Sequence, residues 1–106
     1  MFAQRTSPTR EGAVVRRGEL DFRIDARRDR LLGLWAAEKL GFAGADAERY
    51  AQEVVLADLE EPGDADVVRK IIRDFRIRRR SLCERDVRRA MVGLYETARR
   101  QVEGCG

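Results

Sequence analysis

Any chemistry this chain performs must come from arginines, carboxylates, two tyrosines and two cysteines, because the sequence holds no histidine. That absence removes His-ligated zinc, Ser/His/Asp and Cys/His nucleophilic machinery, and imidazole-based pH sensing together. Cys83 and Cys105 are too far apart for a CxxC site and too few for a disulfide framework, so both read as free thiols. No GxxxxGK[ST] phosphate loop occurs. The expectation is a non-enzyme with no catalytic residue, no metal and no cofactor.

Two constellations remain. Asp58 continues the apolar side formed by Ala47, Ala51 and Val54 at helical spacing. A carboxylate there must be wetted, capped or paired with an arginine, because an unpaired buried charge is too costly. The second constellation is Arg76 and Arg78, Arg79 and Arg80, followed by Arg85, Arg88 and Arg89. These can be a solvated face, a contact for an acidic protein, or a site for phosphate oxygens. A weakly held nucleotide is one alternative. Nucleic acid is disfavoured, since neither a paired-cysteine finger nor an RNA-reading aromatic strand motif is present. An arginine-only catalyst would need guanidinium groups converging inward, whereas most lie opposite the apolar stripes.

The elements that position these residues follow from length and pattern. The chain has 106 residues, 43% hydrophobic and 39% charged, which suits one soluble domain with a small core. The net charge of +3 conceals segregation: residues 1–30 sum to +3, residues 31–66 to −7 and residues 67–106 to +7. The acidic middle argues against one continuous phosphate-binding surface. No apolar run reaches the roughly 18 residues of a membrane span, and the first 18 residues lack a signal peptide's hydrophobic middle, so a cytoplasmic location is expected.

Four amphipathic segments are predicted. Leu20, Ile24, Leu31, Leu34 and Trp35 mark a helix from Glu19 to Leu40, stopped by Gly41; Arg27 and Arg28 interrupt its stripe, which predicts a less covered N-terminal half. A second helix runs from Gly44 or Ala45 to Glu61 with Tyr50, Ala51, Val54 and Val55 inward, and Pro62 and Gly63 close it. A third opens after Asp64 with Val67, Val68, Ile71, Ile72 and Phe75 and ends near Arg78 to Arg80. Ser81 and Glu84 have capping-box spacing for a fourth, carrying Val87, Met91, Leu94, Tyr95, Ala98 and Val102. Trp35 fits either core or a partly exposed anchor. With no period-two run, the fold class is all-α: a compact four-helix bundle over residues 19–103. A flexible N-terminal arm over residues 1–18 and a disordered tail over 104–106 complete the expected organisation.

The run from Phe22 to Glu38, FRIDARRDRLLGLWAAE, resembles the signature of the alphaproteobacterial ATPase inhibitor subunit zeta family. The similarity continues through Tyr50-Ala51, Val54-Val55, Asp58, Glu60-Glu61, Gly63, Asp66-Val67, Arg69-Lys70, Asp74 and Val87-Arg88 with Met91. The resemblance implies a four-helix protein that binds the catalytic head of the F-type ATP synthase and so lies peripheral to the inner membrane. It implies that the N-terminal segment enters a catalytic interface as a helix and blocks ATP hydrolysis, while the bundle docks outside. On this basis Arg10, Glu11, Ala13, Val14 and Val15 would form the partner-binding arm. Arg27, Arg28, Asp58, Arg78, Arg79, Arg80 and Arg88 would supply docking or anion contacts. The head departs from the family: Val14-Val15-Arg16-Arg17-Gly18-Glu19 stands where inhibitory members carry an acidic, phenylalanine-containing helix. Weak or absent inhibition is therefore expected. A helical adaptor that binds another protein, or weakly a nucleotide, without inhibiting is the alternative.

Overall fold

The computed structural model describes residues 8–60 and 63–105, and side chains over 18–60 and 63–104. Four helices follow one another: α1 Pro8–Leu40, α2 Gly44–Glu60, α3 Ala65–Ile77 and α4 Glu84–Cys105. Among the described residues there is no strand. The all-helical architecture of four helices is as the apolar spacing predicts.

The main core joins all four helices. Leu32, Ala36, Ala37 and Leu40 of α1 meet Tyr50 and Val54 of α2, Val67, Val68, Ile71 and Phe75 of α3, and Val87 and Met91 of α4. A second cluster pins the N-terminal half of α1 to the end of α4 through Ile24, Ala98 and Val102, flanked by Leu20, Leu31 and Tyr95. Each helix buries one stripe, so mutual burial rather than intrinsic propensity holds the short α3 in place. α1 and α2 approach closely at Gly33, where a Cβ would lie 2.5 Å from the Ala51 Cα. Only a glycine admits that contact.

Several boundaries differ from expectation. α1 begins at Pro8 rather than Glu19 and passes Gly12 and Gly18 without a break. Proline is favoured in a first helical turn, and extending an existing helix requires no new nucleation, so two interior glycines at about 1 kcal/mol each do not interrupt it. α4 starts at Glu84, with the Cys83 carbonyl accepting from the Asp86 and Val87 amides at 3.0 and 3.3 Å, so its first turn lies beyond the Ser81 cap expected. It runs on to Cys105. The Glu61 and Pro62 closure of the second helix, and Gly106 of the expected tail, lie outside the described residues.

α1 and α3 end in the same way. The Phe42 amide donates to the Ala37 carbonyl at 2.8 Å with Gly41 at φ +91° between them, and the Arg80 amide donates to the Phe75 carbonyl at 2.8 Å with Arg79 at φ 60°. These are Schellman caps, which favour glycine at the left-handed position. At α3 an arginine occupies it.

Candidate functional site

The N-terminal half of α1 is less covered than the half from Leu31 to Leu40, as expected, with Asp21, Phe22, Arg23, Arg27 and Arg30 exposed. Within it, however, Arg28 is 6% exposed and Asp29 only 1%. A long arginine can lie along an interface and remain charged when carboxylates surround its head. The Arg28 Nε donates to Asp29 Oδ1 at 2.9 Å, and its Nη2 donates to Asp64 Oδ1 at 3.1 Å and lies 3.7 Å from Asp58 Oδ2. One guanidinium thus joins α1, the end of α2 and the turn before α3. Asp64 occupies the N-cap of α3, yet its side chain makes no capping hydrogen bond. Its carboxylate is turned to Arg28 instead.

Around this centre runs a cleft of about 300 Å³ lined by Phe22, Asp25, Asp29, Asp58, Leu59 and Asp64, among others. Burial pushes the Asp29 carboxyl up to about 8, and the neighbouring Asp58 carboxyl adds to this against the opposing pull of Arg28. Asp25 is raised for similar reasons: burial first, then Asp58, Asp64 and Asp21, with Arg28 opposing. Burial also works against the Arg28 charge, but Asp29 and Asp64 outweigh it and hold the guanidinium more firmly protonated than usual.

A second polar centre joins α2 to α3. The Tyr50 hydroxyl donates to Asp74 Oδ2 at 2.8 Å, and Lys70 Nζ reaches the same oxygen at 2.9 Å and Glu53 at 3.0 Å. Burial, then the Asp74 carboxylate, raises the Tyr50 phenol further above its ordinary range. Next to it a cleft of about 380 Å³ is bounded by Phe42, Arg49, Tyr50, Asp74, Ile77 and Arg78.

The residues singled out from sequence do not assemble into one site. Arg28 and Asp58 meet at the α1–α2 joint. Arg27 is exposed and donates to Gln101 of α4 at 3.0 Å. Arg78 stacks over the Phe42 ring at 4.4 Å, and Arg80 donates to the Lys39 carbonyl at 2.8 Å. Both therefore help to close the core end. Arg79 is exposed, and Arg88 pairs with Glu84 at 2.8 Å one turn away. The backbones of Arg10, Glu11, Ala13, Val14 and Val15 belong to α1, and their side chains lie outside the described residues. Trp35 is partly buried beside the main core, with Lys39 over its ring at 5.1 Å. Cys83 is a free, exposed thiol. Sequence reasoning missed Asp25, Asp29 and Asp64; the signal for them was an arginine at a core position, which demands carboxylates from the facing elements.

Among the described residues no helix is long and apolar enough to cross a membrane. A family model described as ATPase inhibitor subunit zeta matches residues 2–101. A structure determined by NMR in solution is similar at 44% identity, covering 80% of this chain and 96% of its own, with a TM-score of 0.70. A search of curated proteins gave no match.

Proposed function

Because the chain belongs to the ATPase inhibitor subunit zeta family, a non-catalytic family, we propose that it binds the catalytic head of an F-type ATP synthase and limits ATP hydrolysis by wedging. The match over residues 2–101 carries this reading, since it spans the N-terminal segment as well as the bundle. The continuity of α1 supports it too. From Pro8 to Gly18 the helix extends the bundle by about 15 Å at 1.5 Å per residue, a rod suited to entering a cleft between subunits.

In this proposal residues 1–18 form the inserting arm and residues 19–103 the body. Arg10, Glu11, Ala13, Val14 and Val15 contact the head, and the exposed Arg27, Arg79 and Arg88 contribute outer docking contacts to acidic surface. Blocking is steric, so no bond is made or broken. The arm's valines offer less contact area than aromatic anchors, and its glycines raise the cost of ordering the helix, so inhibition is weak.

ATP hydrolysis by the isolated cognate enzyme, measured with added protein, tests the reading. Weak inhibition is expected, and deletion of residues 1–15 should abolish it while far-ultraviolet circular dichroism still reports a folded bundle. Gly18→Ala should strengthen inhibition, because an added Cβ there meets nothing within 4 Å and removes about 1 kcal/mol of helix penalty. Strong submicromolar inhibition would overturn the stated weakness. Inhibition that survives the deletion would overturn the role of the arm.

A further inference from the structure

Among the described residues the exposed large apolar side chains are Phe22, Leu56, Leu59, Ile77 and Val92. Single exposed apolar residues are ordinary, but Phe22 and Leu59 are each 56% exposed and line the same cleft around the Arg28 centre. Leu56 and Ile77 border other clefts, and Val92 belongs to α4. A further cleft of about 390 Å³, toward α4, shares Phe22, Ala26 and Val55 with the first. The two therefore meet on an apolar strip that follows the groove between α1 and α2.

The rim of this strip changes sign from one side to the other. Toward α3 it is edged by Asp25, Asp58 and Asp64, and the guanidinium nearest to them, Arg28, is buried and already shared among carboxylates. Toward α4 it is edged by Arg23, Arg27 and Arg30. Phe22 lies four residues after Gly18, about 6 Å along α1, whereas Lys39, where Arg80 docks, is about 26 Å beyond Phe22. A molecule that receives residues 1–18 therefore meets the strip before it meets the arginine turn.

We propose that the α1–α2 groove centred on Phe22 and Leu59 is the face by which the bundle docks on the catalytic head. This rests on the functional reading above and adds the surface to it. The complementary patch on the head presents an apolar group with basic residues toward Asp25, Asp58 and Asp64 and acidic residues toward Arg23, Arg27 and Arg30. The apolar pair supplies affinity through desolvated contact at the centre. The two-signed rim fixes the orientation of the bundle, and with it the direction in which α1 enters.

The test titrates the full chain onto the immobilised catalytic head of the cognate enzyme. Phe22→Ala should weaken binding about tenfold and Leu59→Ala about fivefold, whereas Val92→Ala, which trims a side chain that is more exposed still, should leave affinity unchanged. Asp25→Asn should weaken binding about threefold and lessen its salt dependence. Phe22 and Leu59 belong to neither buried cluster, so their variants should keep the wild-type urea midpoint. Hydroxyl-radical footprinting of the wild-type complex reads the same surface without any substitution: Phe22 and Leu59 should become protected and Val92 should not. Wild-type affinity in both alanine variants, or unprotected Phe22 and Leu59 in the complex, would remove the docking face and leave the functional reading standing. A wild-type chain that fails to bind the head would remove both. A free-chain dimer that Phe22→Ala dissociates would assign the groove to a second copy, and protection of Phe22 in the free chain that disappears on deleting residues 1–15 would assign it to the chain's own N-terminal segment; either result sinks the proposal.

Discussion

At the α1–α2 joint a single buried guanidinium is shared among Asp29, Asp58 and Asp64, whereas the turn from α3 to α4 holds a run of arginines in water. The same residue type carries different weight in the two places. Arg28 is 6% exposed, and every carboxylate around it would be left without its cation if it were removed. Arg88 is about half exposed and pairs with Glu84 within one helix, where solvent and salt screen the attraction. Burial, rather than the number of charges, decides which arginines hold the fold together. Arg78 and Arg80 stand between the two cases, exposed yet engaged with the Phe42 ring and the Lys39 carbonyl.

Three substitutions sharpen or break that contrast. Arg28→Ala should cost about 3–5 kcal/mol, because it leaves buried carboxylates uncompensated; urea unfolding that shows less than about 1 kcal/mol would remove the hub from the account. Arg79→Gly should stabilise the chain by about 1 kcal/mol, since glycine adopts the left-handed conformation at φ 60° without the Cβ penalty. A melting temperature that falls in this variant would mean that the Arg79 side chain makes a contact worth more than its backbone strain. Arg88→Ala should change stability by only about 0.3 kcal/mol, the scale of an exposed pair one turn apart, and the effect should vanish in high salt.

Strain at Arg79 bears on the proposed docking role. α1 ends with glycine at the equivalent position, Gly41, and an added Cβ there would also approach the Arg80 guanidinium at 3.5 Å. α3 instead retains an exposed arginine in a conformation that glycine adopts more easily. If the guanidinium serves the head, Arg79→Gly should weaken binding even as it stabilises the free protein.

The helices and their buried faces were legible because a 3.6-residue period needs only local spacing. Val67, Val68, Ile71 and Phe75 mark the inner face of α3 without reference to any partner element, and all four are buried. Gly41 marked the end of α1 for an equally local reason, its freedom at positive φ. Arg28 and Asp29 were not legible in this way. A charged pair inside an apolar stripe reads as a gap in coverage until the facing elements are known, and the residues that satisfy it stand far along the chain at Asp58 and Asp64. Asp58 could be flagged as needing a partner, but its own helix gave no means of choosing among the chain's arginines.

Sequence alone determined the four-helix composition, the apolar stripes, the charge segregation and the absence of imidazole chemistry, all properties of local spacing or residue count. The tertiary structure decided that α1 runs unbroken from Pro8, that Gly33 sits against Ala51, and that one arginine gathers carboxylates from three elements. Those features depend on how closely helices approach and on which charges lose water together, and neither quantity is a function of neighbours along the chain.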